Sequence, residues 1–154
     1  MYKVELFDFG LTKEEEERSK ALHQEALVID GLTVTANLDD AKYLQLLRTG
    51  GVTAANATIT SVNSNFIGAV KDVNRYKRLI EKNPDSLLLV RSVEDIKRAK
   101  EEGKVGVIIG FQNGKPFEDD ASYVDTFYDL GVRIVQLTYN DQNSIGNGCC
   151  ELTC

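Results

Sequence analysis

The residues best suited to chemistry follow a short apolar run in the last quarter of the sequence. The apolar members of that run are Val132, Ile134, Val135 and Leu137, a pattern typical of a buried strand. The chain then changes abruptly to side chains that form hydrogen bonds, over residues 138–143. Residues just past the carboxyl end of a strand in a parallel α/β sheet line the ligand crevice. The run therefore predicts a polar binding site at this strand end.

Similar side chains follow the other predicted strands. Together they make a rim composed of Asp30, Thr33, Asn56, Thr58, Thr60, Arg91, Gln112, Asn113, Tyr139, Asn140, Asp141 and Asn143. Amides and hydroxyls dominate this rim, whereas general acid–base catalysis favours groups with a tunable pKa. A hydrolytic zinc site needs three or four nitrogen, sulfur or carboxylate ligands. The rim residues alone thus favour hydrogen bonding to a polar ligand over metal binding.

Strands and helices alternate along the chain. We predict helices over residues 12–25, from 37 or 39 to 48, and over 65–81, 92–102 and 119–130, with Asp119 as the N-cap of the last. We predict strands over 26–31, 52–59, 86–90, 104–110 and the run that begins at Gly131. Five β units joined by four helical crossovers indicate an α/β protein with a mainly parallel sheet, and 1–154 as a single domain.

Two architectures fit this alternation: a five-stranded open parallel sheet, or the first five strands of a (β/α)8 barrel. An open doubly wound sheet usually ends with a helix that covers its last strand. Residues 140–154 show no helical period, which favours the barrel. Because such a barrel needs about 250 residues, the expected fold is an incomplete TIM-type barrel of about five βα units.

The composition argues against several classes of partner. The chain has 154 residues, 42% of them hydrophobic and 27% charged, with a net charge of −6 and no basic stripe, which argues against nucleic acid as a partner. No apolar stretch approaches the roughly 18 residues of a transmembrane helix. No signal peptide is visible, so we expect a cytoplasmic protein. Cys149, Cys150 and Cys154 match no common zinc spacing, and we expect reduced thiols.

Three segments carry a resemblance to a known family. Residues 21–31, 106–113 and 129–143 resemble the membrane (renal) dipeptidase family, and the similarity runs in order from about residue 12 to residue 151. The resemblance implies a (β/α)8 metallohydrolase that holds two zinc ions and cleaves dipeptides. It also implies that this chain is the N-terminal half of the barrel. A metal-bound hydroxide attacks the peptide carbonyl in such enzymes.

The family's functional positions are altered in this sequence. The resemblance places two zinc ligands of the first strand at Leu32 and Val34, and the carboxylate that bridges both ions at Gln112. It places at Tyr139 a histidine that stabilises the tetrahedral intermediate. Asn143 matches a family asparagine, and Asp30 and Gly31 are retained. Our hypothesis is a divergent branch without the usual two-zinc centre, although zinc is the cofactor that the family implies.

Three functional interpretations follow from these residues. The first is a metal-dependent dipeptidase in which Tyr139 acts as a catalytic hydrogen-bond donor to the developing oxyanion. The second is a non-catalytic protein that binds a dipeptide or an amino-acid-like small molecule. Its binding residues would be Gln112, Asn113, Tyr139, Asn140 and Asn143. The third is a truncated fragment without independent activity, and a half barrel of that kind would expose two sheet edges and self-associate as a homo-oligomer.

Overall fold

A computed structural model describes residues 7–33 and 38–151 of the chain. The helices are α1 (Lys13–Glu25), α2 (Ala41–Thr49), α3 (Phe66–Lys82), α4 (Val93–Glu101) and α5 (Tyr123–Leu130), and a 3₁₀ turn covers Lys115–Phe117. The strands are β1 (Val28–Thr33), β2 (Val52–Thr58), β3 (Leu87–Leu89), β4 (Val105–Phe111) and β5 (Val132–Val135). All five strands pair in parallel in one open sheet, which confirms the predicted α/β class.

Local sequence signals set most of the helix starts. Thr12 and Ser92 cap α1 and α4 in reciprocal capping boxes with Glu15 and Asp95, as their spacing predicts. Asn65 caps α3 through the backbone N–H of Gly68. The cap of α2 is Asp40, one residue after the predicted Asp39, whereas the alternative, Asn37, lies outside the described residues.

The prediction for the start of α5 is wrong. Asp119 is not an N-cap, because the helix begins only at Tyr123. Pro116 lies in the 3₁₀ turn that precedes the helix, and Glu118 has a positive φ of 51°, so the backbone leaves helical geometry there. Asp120 then accepts hydrogen bonds from the N–H and the hydroxyl of Ser122, which makes a local turn instead of a first helical turn.

The strand β4 is the centre of the sheet. The C=O of Gly110 accepts from Ile59 on the β2 side, whereas Val107 and Phe111 accept from Val90 and Gln136 on the other side. Alternate residues of a strand bond to opposite neighbours, so β3 and β5 share one edge of β4, one after the other. The order is β1-β2-β4, followed by β3 at the amino end of β4 and β5 at its carboxyl end.

This strand order explains why one helix lies on the other face of the sheet. The connections that lead into β2, β3 and β5 each move across the sheet away from β1. The connection from β3 to β4 moves back toward β1. Right-handed crossovers therefore place α4 opposite to α2, α3 and α5. Two core clusters result: Val107 and Ile109 pack with Val73 of α3 and Phe127 of α5, whereas Ile108 packs with residues of α4.

The face that carries α4 is covered only at its amino end. Ile29 lies in register with Ala54 and Ile134 with Gly110, so both isoleucines point to this face, and they are 51% and 40% exposed. In a (β/α)8 barrel the strands follow chain order and all helices form an outer ring. The order β1-β2-β4 and the position of α4 on the opposite face therefore differ from a simple barrel segment. Within the described residues, none of the helices combines the length and apolarity needed to cross a membrane.

Candidate functional site

The loops that follow β2, β4 and β5 meet at one end of the sheet. Asn113, which is 4% exposed, donates from its side-chain amide to the C=O of Val62 at 2.8 Å. Its side-chain oxygen accepts from the N–H of Lys115 at 3.0 Å. The N–H of Gly114 donates to the C=O of Leu137 at 3.0 Å. The carboxyl ends of these three strands are thus joined, as the parallel sheet predicts.

Asn143 organises the loop after β5. Its side-chain amide donates to the C=O of Leu137 at 2.8 Å, the same carbonyl that Gly114 reaches. Its side-chain oxygen accepts from the N–H groups of Ile145 at 2.9 Å and Gly146 at 3.3 Å. Asn113 therefore joins the loops after β4 and β2, whereas Asn143 stabilises the loop after β5, and the polar atoms of both side chains are engaged with the main chain.

The loop after β5 folds back on itself. The N–H groups of Cys149 and Cys150 donate to the carbonyls of Tyr139 at 2.7 Å and Asn140 at 3.0 Å. A Cβ at Gly148 would collide with the backbone of Asn140, so this crossing requires glycine. The paired backbones fix Tyr139 and Asn140 on a defined turn beside the end of β4.

Two of the predicted site residues present free polar groups at this rim. Gln112 and Tyr139 are half-buried, and neither side chain forms a hydrogen bond with any residue that the structure describes. Asn140 is exposed, and its side-chain oxygen accepts weakly from the Cys149 thiol at 3.4 Å. The structure thus brings Gln112, Tyr139 and Asn140 to the ends of two neighbouring strands.

A buried amide lies on the face of the sheet that carries α4. Asn56 is 8% exposed, donates to the C=O of Gly31 at 3.0 Å, and has a side-chain oxygen without a partner among the described residues. A Cβ at position 110 would collide with that oxygen, so Gly110 leaves the space that Asn56 occupies. The amide ties β1 to β2 beneath the rim.

A lysine that the sequence analysis missed contributes charge to the rim. Lys115 Nζ donates to Asn63 Oδ1 at 3.1 Å and lies 3.6 Å from Asp141 Oδ2, so it bridges the loops after β2 and β5. The sequence signal that could have identified Lys115 is its position three residues after Gln112, past the carboxyl end of β4. Close by, Glu118 accepts from the N–H of Phe66 at 3.1 Å.

The pKa of the Cys150 thiol departs from its ordinary value. A hydrogen bond with the neighbouring Cys149 thiol, together with the negative charges of Asp141 and Glu151, raises the pKa of Cys150. The Cys150 thiol therefore stays protonated at neutral pH.

The donor set does not suit a zinc centre at the positions that the resemblance assigns. Leu32 is a hydrocarbon side chain that is 58% exposed, Val34 lies outside the described residues, and Gln112 offers a neutral amide. Zinc in proteins binds cysteine, histidine and carboxylate side chains. Among residues 7–33 and 38–151, no three such side chains form a group that could hold a metal ion.

Comparison with known proteins identifies the family of this chain. A family model described as membrane dipeptidase matches residues 16–153, and the chain belongs to that family. A crystal structure of an amidohydrolase from Pseudomonas aeruginosa is 42% identical, with a TM-score of 0.80. The match covers 86% of this chain and 40% of that one.

More distant structures share the fold. The probable dipeptidase PvdM from Pseudomonas aeruginosa is 19% identical over 86% of this chain and 40% of its own, with a TM-score of 0.64. A metallopeptidase from Rhodobacter sphaeroides, liganded with a phosphinate mimic of the dipeptide L-Ala-D-Ala, is 12% identical with a TM-score of 0.56. It is matched over 71% of this chain and 44% of its own. The chain thus spans less than half the length of these proteins, which is consistent with a partial TIM barrel.

Proposed function

We propose that the rim at the ends of β4 and β5 binds a dipeptide or a similar small molecule by hydrogen bonds, without the usual two-zinc centre. The observation that carries this proposal is the pair Gln112 and Tyr139. They occupy the positions where the family resemblance places a bridging carboxylate and a histidine, and they offer an amide and a phenol that the described residues leave free.

The chemistry of these groups matches a peptide. A glutamine side chain donates and accepts, as a peptide group does, and a phenol both donates and accepts. Asn140 adds an exposed amide beside Tyr139. Asn113 and Asn143 support the proposed site by bracing the loops that present these groups.

The proposal involves no step on a metal ion. A carboxylate between two dications neutralises part of their charge, and the amide of Gln112 carries no charge to do so. Leu32 and Val34 supply no donor atom in their side chains. These three positions therefore supply none of the metal ligands that the resemblance assigns to them.

The first test is binding of L-Ala-D-Ala to the purified chain, measured by calorimetry with and without a metal chelator. We expect binding that the chelator does not change. Because one hydrogen bond contributes about 1 kcal/mol, Gln112→Ala should weaken binding roughly three- to tenfold. Gln45→Ala, an exposed glutamine on α2, is the matched control and should bind like the parent.

A second variant addresses the phenol. Tyr139→Phe removes only the hydroxyl, so an affinity equal to that of the parent would exclude Tyr139 from the site. Two tightly bound zinc ions per chain, together with release of free alanine from the dipeptide, would overturn the metal-free proposal as a whole. Metal content and amino-acid release are therefore measured on the same preparation.

We also propose that the protein acts in a reducing compartment such as the cytoplasm. Cys149 and Cys150 are exposed and free. Exposed neighbouring thiols persist where cellular thiols keep cysteine reduced.

A further inference from the structure

Two thiols lie side by side on the loop after β5. The sulfur atoms of Cys149 and Cys150 are 3.9 Å apart, and both residues are exposed. Their positions are set by the main chain, because their N–H groups bond to the carbonyls of Tyr139 and Asn140. The close approach of Gly148 to the backbone of Asn140 holds the same crossing. The structure therefore presents an anchored pair of thiols at the surface.

The backbone geometry disfavours a disulfide between these neighbours. Disulfide-bonded residues usually have Cα atoms about 4.4–6.8 Å apart, whereas consecutive residues across a trans peptide are about 3.8 Å apart. The described residues contain no cis peptide bond. A disulfide also requires sulfur atoms about 2.05 Å apart, so the observed separation of 3.9 Å would have to shrink by almost half. A single atom that bridges both sulfurs needs a much smaller movement.

The number of ligands near the two sulfur atoms limits which atom can bridge them. Structural zinc needs four ligands, and no third histidine, cysteine or carboxylate completes a metal-binding group here among the described residues. A trivalent organic arsenical needs only two thiolates, since its carbon substituent fills the third position. We propose that Cys149 and Cys150 form a chelating site for a trivalent arsenical, and that its occupation restrains the loop after β5.

The reaction is a condensation without a change in oxidation state. An organic arsine oxide exchanges its oxygen for two sulfurs: two arsenic–sulfur bonds form, the arsenic–oxygen bond breaks, and the two thiol protons leave with the oxygen as water. Arsenic stays trivalent, so no oxidant or reductant takes part. The main-chain N–H groups of both cysteines donate hydrogen bonds to the Tyr139 and Asn140 carbonyls. The bridged ring therefore restrains the turn that carries the proposed binding residues.

The test uses the purified chain with Cys154→Ser in every sample, so that only the two neighbouring thiols remain. One phenylarsine oxide per chain should be detected by intact-mass measurement. The adduct should survive excess 2-mercaptoethanol and should be removed by 2,3-dimercaptopropanol. Cys149→Ser and Cys150→Ser should each reduce retention on the order of 100-fold, the advantage of binding by two linked groups.

Two results would overturn the inference. One is equal retention in the single-serine variants, which would show attachment through one sulfur. The other is unchanged hydrogen exchange over residues 139–151 when the adduct is in place, because a chelate anchored to the Tyr139 turn must slow exchange there. The exchange of α3 provides the internal control. Neither measurement depends on peptide binding, so this inference and the proposed function fail separately.

Discussion

Asn113 and Asn143 show how single residues at the rim divide between support and recognition. Both were expected to bind ligand. The Asn113 side chain bonds to the main chain of its own loop and of the loop after β2, and the Asn143 side chain bonds to the main chain of its own loop. Gln112 and Tyr139 keep their polar groups free of the described residues. The sequence identified all four as rim residues, but it could not separate these roles. The separation depends on which carbonyl lies within reach of each amide.

Asn143→Ala should open the loop after β5. The substitution removes the donor to the Leu137 carbonyl and the acceptor for Ile145 and Gly146, at a cost of roughly 1–3 kcal/mol. We expect faster hydrogen exchange at Ile145 and Gly146, together with weaker dipeptide binding because Tyr139 loses its fixed position.

The aspartate variant separates the two halves of this interaction. Asn143→Asp retains the acceptor for Ile145 and Gly146 but loses the donor to Leu137. It should therefore show intermediate exchange. Exchange rates in Asn143→Ala that match the parent would contradict the bracing role of the side chain.

At the scale of elements, α4 shows how local signals and long-range order combine. The Ser92–Asp95 capping box was predictable, because it depends on residues three apart. The face on which α4 packs was not predictable from local signals. It follows from β3 pairing with the far edge of β4, and this pairing depends on contacts between segments that are distant in sequence.

The cap of α4 should contribute to the pH dependence of stability. Partial burial of the Asp95 carboxylate opposes ionisation, but hydrogen bonds from the N–H groups of Arg91 and Ser92, with the nearby Arg98 charge, lower the pKa of Asp95. A lowered folded-state pKa stabilises the fold above the unfolded pKa of about 3.9. That stabilisation is lost as the pH falls through the folded-state value.

Asp95→Asn should therefore lower the free energy of unfolding near neutral pH by about 1 kcal/mol. The difference from the parent should shrink in acid, where the parent carboxylate is itself protonated. Urea unfolding at neutral pH and below the folded-state pKa measures both values. Glu94→Gln makes the same charge change in the same helical turn and is the control. A difference that stays constant across the pH range would show that charge is not the cause.

At the scale of the whole molecule, the uncovered sheet face is the dominant feature. Ile29 and Ile134 lie on that face at opposite sides of the sheet, beside the buried Asn56. The matched structures extend well beyond the length of this chain, which covers 40% of the amidohydrolase. A further layer of structure packed on this face would bury these side chains.

The chain by itself should self-associate through this face and through the sheet edges. The face presents apolar surface, and the edge strands present unpaired backbone groups. Replacing Ile29 and Ile134 together by Gln should shift sedimentation at micromolar concentration toward the monomer. Leu46→Gln, on the exposed surface of α2, should leave the distribution unchanged. A monodisperse monomer of the parent chain would contradict the prediction.

The sequence alone determined the alternation of helices and strands, the capping boxes of α1 and α4, the polar rim and the family resemblance, because each depends on residue type and short spacing. It failed at Asp119, where Pro116 and the positive φ of Glu118 override a good capping residue. The tertiary structure decided the strand order, the face of α4 and the roles of the rim amides. All three features depend on contacts between loops and strands that are far apart in sequence. The energy of such a contact depends on both partners, so neither segment alone determines it.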